Sequence, residues 1–91
     1  MSRAIQQNHD RSRFEWTEDG VLCVLDYQLN NSTLTVVHTG VPTAVGGRGI
    51  AAELTRCALD TARQQGLKVR PLCSYTAAYI KRNPEYQDLL A

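Results

Sequence analysis

No stretch of this 91-residue sequence is long and apolar enough to cross a bilayer as a helix. Its first ten residues, MSRAIQQNHD, are polar, so neither a secretory signal nor a membrane anchor is expected there, and the expected location is cytoplasmic. Cysteine is sparse. Cys23, Cys57 and Cys73 form an odd set without a C-x-x-C pair or a Cys/His spacing, which argues against both a disulfide framework and a structural metal site. An excess of charge of either sign is missing as well. Ten Lys and Arg against nine Asp and Glu leave a formal charge of +1, too little to gather nucleic acid or an anionic membrane, so any anion site must be local. Repeats, linkers and low-complexity runs are absent too. At 43% hydrophobic and 21% charged residues the chain has ordinary globular composition. Its length allows one core, so residues 1–91 are expected to form a single compact domain, with 1–12 as a flexible arm because they carry no periodicity.

What is present is a change of period midway. RFEWT opens a strand near Arg13, and the Asp-Gly pair of EDG marks a hairpin turn. VLCVLDYQL follows at once. Val21, Cys23, Leu25 and Tyr27 share one face and Leu22 and Val24 the other, so its first half is expected to be covered on both sides as a central strand. NNS is a second turn, and TLTVVHT, rich in Val and Thr, is a third strand. From Ile50 the apolar residues Ile50, Leu54, Cys57, Ala58 and Ala62 recur at helical spacing for about four turns, and Gly66 marks the stop. LKVRPLC is a fourth strand, reached by a crossover that makes it parallel to the third. SYTAAYIKRN is a shorter helix capped by Ser74 and ended by Pro84, with PEYQDLLA as a tail or last helical turn. The order β-β-β-α-β-α defines an α+β fold with α/β-like character.

Between the third strand and the long helix lie Gly40, Pro42, Gly46, Gly47 and Gly49, the last three crowded around Arg48. Glycines mainly supply turns. At a strand-to-helix junction they do more, because a helix start leaves amide N–H groups unpaired and carries partial positive charge, and residues without side chains let a phosphate approach them. Arg48 would add a charged hydrogen bond. The loop lacks the Lys and hydroxyl of G-x-x-x-x-G-K-[ST] and the spacing of G-x-G-x-x-G, which disfavours nucleoside triphosphates and NAD.

HTGVPTAVGGRGIAAEL and GLKVRPLCSYTAAYIKRNPEYQDLL together resemble the small, single-domain branch of the GNAT N-acetyltransferase superfamily over residues 14–90. The superfamily's pyrophosphate loop follows Q/R-x-x-G-x-G/A. Gly47 and Gly49 take its two glycine places, while Ala44 stands where Gln or Arg is usual, so one side-chain contact is missing. The H-T-x-V-P and P-L-C-x-Y segments are more specific to the small branch than the glycines are. The resemblance implies a GNAT-type core: an antiparallel meander, the pyrophosphate loop, a helix, a splayed parallel strand and a short C-terminal helix. It also implies acetyl-coenzyme A as acyl donor. Backbone N–H groups of Val45, Gly46, Gly47, Arg48, Gly49 and Ile50 would hold the pyrophosphate, and Thr39, Gly40 and Val41 would line the pantetheine arm. The thioester would lie where the third strand and KVRPLC part.

Acetyl transfer to an amine needs a neutral nucleophile, a donor for the oxyanion and a proton for the leaving thiolate. The oxyanion donor is expected to be a backbone N–H near 39–41, freed by a bulge. His38, at the end of the third strand, is a candidate base, set against the plainer role of a strand-end hydrogen bond. Tyr79 is a candidate acid toward the coenzyme's sulfur, although it misses the superfamily's usual offset, and Tyr75 and Tyr79, four apart, also suit core packing. Cys73 ends a strand and precedes a helix, where a thiolate is favoured. It is a candidate acyl acceptor or a thiol beside the ligand, set against structural packing, which is the expected role of Cys23 and Cys57. Glu53, in the helix's first turn, is read as solvated. The expected activity is transfer of an acetyl group to a primary amine on a protein or other large acceptor. The alternative is a module that binds acyl-coenzyme A with little transfer, because EDG leaves no room for helices that would cover the acceptor.

Overall fold

Two tight turns build the meander. Asp19 and Gly20 take φ of 49° and 76°, and Asn31 and Ser32 take 51° and 64°. Successive left-handed residues match the twist of the strands they join. In the computed structural model, which describes residues 3–91, these turns connect β2 (Arg13–Glu18), β3 (Val21–Asn30) and β4 (Thr33–Gly40) in antiparallel order. A short strand β1 (Gln6–Asn8) pairs antiparallel with β2, and β5 (Lys68–Pro71) pairs parallel with β4. The sheet order is β1-β2-β3-β4-β5, with β3 at the centre. The outer edge of β5 is partly covered by the chain end, where Leu90 bridges Val69 and the Ala91 N–H donates to the Val69 carbonyl at 3.0 Å.

One face of the sheet carries the core. Phe14, Cys23, Leu25, Tyr27, Leu34, Val36 and Val69 are buried there. They meet Ile50, Leu54, Ala58, Leu59 and Ala62 of α1 (Ile50–Gln64), Ile80 of α2 (Ser74–Arg82), and Tyr86 and Leu89 of the 3-10 turn Pro84–Leu89. Each large apolar side chain so covered contributes about 1.5–3 kcal/mol. α1 ends as its sequence suggests. Gly66 sits at φ 69°, the Leu67 N–H donates to the Ala62 carbonyl at 2.8 Å, and the Gly66 N–H to Arg63 at 3.3 Å, which satisfies the last carbonyls of the helix.

Three expectations are corrected. Residues within 1–12, read as a flexible arm, supply β1, because backbone pairing along the open edge of β2 needs no side-chain periodicity to declare it. β3 is central in order but covered on one side only. Leu22 is 44% exposed, since both helices pack on the opposite face. The residue at the N-cap of α2 is Cys73, with extended backbone, while Ser74 is already the first helical residue.

Candidate functional site

β4 and β5 run together only as far as the Val36–Pro71 pair. There the N–H groups of Leu72 and Cys73 both donate to the Val36 carbonyl at 3.0 Å, turning the chain into α2 while β4 continues to Gly40. The two strands therefore part. One lip of the opening is Val37 to Gly40, the other Leu72 and Cys73. β4 is irregular at the same point. Tyr27 pairs with Val36 and Asp26 with His38, so Val37 is an extra residue bulged out of the ladder, two positions earlier than the 39–41 region where a bulge is expected.

The lips carry different chemistry on their two faces. Thr39 pairs with buried Leu25 on the helix side, and its Oγ1 lies 3.6 Å from Cys73 Sγ across the opening. His38 is exposed on the other side of the sheet, opposite Asp26. Its ring lies over Gly40, where a Cβ would stand 3.0 Å from Nε2. Cys73 and His38 thus address the opening from opposite faces. Tyr79 is not brought to either. Six residues along a helix from Cys73, it is about 9 Å away along the axis, with its ring 6.2 Å from that of Tyr86. Burial raises the Tyr79 phenol and keeps it neutral.

The three thiols differ. Burial pushes Cys23 and Cys57 up. Burial acts in the same sense on Cys73, but the Thr76 N–H, the Thr39 hydroxyl, the Tyr75 N–H and the Thr76 hydroxyl favour its anion and bring it below the ordinary thiol range. Thr76 is fully buried, and its Oγ1 has no hydrogen-bond partner among the described residues. A thiolate would give it an acceptor. Sequence reasoning passes over Thr76; its one signal is a position three residues after the helix cap.

The glycine loop opens onto a row of free donors. The Val45 and Gly46 amides are occupied by the 3-10 turn Thr43–Val45, donating to the carbonyls of Pro42 and Thr43 at 3.0 and 3.1 Å. The N–H groups of Gly47, Arg48 and Gly49 donate to no backbone carbonyl among the described residues. Those of Ile50, Ala51 and Ala52 begin α1 and have no intrahelical partner. Gly47 and Gly49 lie at φ 76° and 80°, and a Cβ on either would meet nothing within 4 Å. A left-handed glycine before a helix start turns successive amides toward one side, a concavity suited to a phosphate. The donor set therefore fits a pyrophosphate. Among the described residues no group of His, Cys, Asp and Glu is gathered to hold a metal.

The side chains around the loop are carboxylates and guanidiniums. The Arg48 guanidinium turns to the β2–β3 hairpin, donating to Asp19 at 2.7 Å and Glu18 at 3.3 Å. Glu53, read as solvated, instead accepts from the Arg3 N–H at 2.8 Å and from the Arg3 guanidinium. Sequence spacing gives no sign of this contact, which spans fifty positions.

A sheet that splits between β4 and a parallel β5, with unpaired amides at the start of the intervening helix, is the arrangement of an acetyltransferase-type α+β fold. The profile of the GCN5-related N-acetyltransferase family matches residues 13–89, and the chain belongs to that family. Protein NATD1 of Gallus gallus is 36% identical to it, with 93% of this chain and 82% of the relative aligned. The Homo sapiens NATD1 is 35% identical, with 93% of this chain and 80% of the relative aligned. Among solved structures, a GCN5-like protein of Staphylococcus aureus studied by solution NMR superposes with a TM-score of 0.75 at 27% identity, covering 96% of this chain and 86% of that one. Among the described residues no helix is long and apolar enough to cross a membrane.

Proposed function

We propose that the chain transfers an acetyl group from acetyl-coenzyme A to a primary amine carried on a protein or another large acceptor. The observation that carries this reading is the pairing of the strand opening at Val36 with the free amides of Gly47, Arg48 and Gly49. Those amides and the start of α1 hold the pyrophosphate, and Thr39, Gly40 and Val41 line the pantetheine arm. When bound, acetyl-coenzyme A supplies an activated thioester. His38, exposed on the uncovered face, accepts the proton the amine sheds. Cys73, on the helix face beside Thr39, stands either as acyl acceptor or as a thiol against the ligand. Tyr79 serves as packing for Tyr86. No helix of the described residues covers the His38 face of the sheet, so a small amine would be held loosely and water would be poorly excluded. A large acceptor brings its own surface to close the site.

Amide NMR shifts on titration with acetyl-coenzyme A, followed by intact mass, test this. The expected result is large shifts at Gly47, Arg48, Gly49 and Ile50, and acetylated product when an amine-bearing acceptor is added. An added acetyl group that vanishes in Cys73→Ala assigns the covalent route. The same uncovered face favours a second reading, a module that binds acyl-coenzyme A with little transfer; shifts without any acetylated product would select it. Absence of shifts at millimolar ligand overturns both.

A further inference from the structure

Around the outer side of the glycine loop, a cluster of five charged side chains draws together three parts of the chain that are remote in sequence. Arg3 is at its centre. The Arg3 N–H and guanidinium donate to the two oxygens of Glu53, in the first turn of α1. Arg3 Nε donates to Glu18 at 3.1 Å, and Nη2 donates to the carbonyl oxygen of Arg48 at 3.1 Å. Glu18 also accepts from Trp16 Nε1 at 2.8 Å and from Arg48 Nη1 at 3.3 Å. The inner members are shielded: Arg3, Glu18 and Glu53 side chains are 19%, 15% and 17% exposed, against 72% for Asp19.

Two consequences bear on the loop. A trans peptide holds its C=O and N–H on opposite sides. By fixing the Arg48 carbonyl, Arg3 therefore fixes the direction of the Gly49 N–H, one of the free donors. The second consequence is charge. Glu18, Asp19 and Glu53 place three carboxylates beside a loop read as an anion site, and among the described residues the guanidiniums paired with them are those of Arg3 and Arg48. Removing Arg3 doubles the net negative charge of the cluster and frees Glu18 and Glu53 to repel a phosphate.

We infer that Arg3 is a positioning residue for the phosphates of the acyl donor: it orients the Arg48–Gly49 peptide and screens Glu18 and Glu53, without itself touching the ligand. This rests on the reading of the loop as a pyrophosphate site. The segment before β1 thereby belongs to the binding apparatus rather than to an arm.

The test compares two donors by amide NMR titration: acetyl-coenzyme A, and S-acetylpantetheine, which keeps the thioester and pantetheine arm but carries no phosphate. Arg3→Gln should weaken acetyl-coenzyme A by about tenfold, the scale of one charge-assisted hydrogen bond, and leave S-acetylpantetheine unchanged. Adding Glu53→Gln to Arg3→Gln should recover part of the loss, because it removes the charge left exposed. An equal weakening of both donors would mean a merely structural role and overturn the inference, as would wild-type affinity in Arg3→Gln. Should Arg3→Gln fail to fold, Arg3→Lys, which keeps the charge without the fork, reads the same ratio: selective loss for acetyl-coenzyme A supports the inference, and an unchanged ratio overturns it. A wild-type chain that binds neither donor overturns the underlying reading and the inference together, whereas wild-type binding with an unchanged ratio in the variants overturns the inference alone.

Discussion

Cys73 differs from the other two cysteines by its surroundings rather than by its sequence. At the cap of α2 it meets N–H groups and two hydroxyls, whereas at Cys23 and Cys57 burial outweighs every other influence. Its thiol is lowered, so its anion persists to a lower pH than that of an ordinary cysteine. Alkylation followed by mass against pH should show Cys73 reacting with a midpoint below the ordinary thiol range and Cys57 lagging above it. Thr76→Val should move the Cys73 midpoint upward, because a buried hydroxyl that favours the anion is lost. Thr55 gives a stability counterpart. Its hydroxyl is fully buried in α1 without a partner among the described residues. Thr55→Val keeps the shape and removes a stranded polar atom, so it should stabilise by about 1 kcal/mol, read as a higher urea midpoint at unchanged slope.

The loop between β4 and α1 joins conformation to charge. Gly47 at φ 76° has open space around it, so Gly47→Ala is opposed by backbone strain and not by collision. The cost is about 1 kcal/mol, a drop of several degrees in melting temperature. The added methyl lies in the loop read as the phosphate site, so binding of acetyl-coenzyme A should fall more than stability does, checked by titration well below the melting point. The β2–β3 hairpin carries the pH dependence of the same region. Hydrogen bonds from Arg3 chiefly, with Trp16 and Arg48, hold the Glu18 carboxyl down to about 2. A depressed carboxylate contributes stability that is complete above its unfolded value near 4.5 and is lost as pH falls toward 2. Glu18→Gln should therefore flatten the fall of the urea midpoint between about pH 5 and pH 2.

At the scale of the whole molecule, a chain of 91 residues with helices on one face of its sheet has a small core. Domains of this size are marginal, and a ligand that binds only the folded state weighs heavily in their stability. At a hundredfold excess over its dissociation constant, acetyl-coenzyme A should add about 2.7 kcal/mol, which for a domain of this length raises the melting temperature by on the order of 10 °C. A scanning fluorimetry series in ligand concentration checks it. A flat series would remove the cofactor reading.

Much of this protein is written locally. Asp-Gly and Asn-Ser can take successive left-handed conformations, so the meander is readable from its turns. The 3.6 period from Ile50 and the Gly66 stop give α1, and the glycines around Arg48 mark a place where helix amides can be approached. Those features depend on the conformational range of each residue and on side-chain spacing, which a sequence displays directly. The rest depends on long-range closure. Only the folded sheet decides that β4 and β5 part at Val36, that Thr39 and Cys73 face each other while His38 lies on the other side, and that helices cover one face and leave Leu22 exposed. Only tertiary packing sets Arg3 against Glu53, fifty positions on, and turns an apparent arm into the support of the loop. Such pairings arise from where the strands and helices come to rest in space, and no local preference of the chain encodes them.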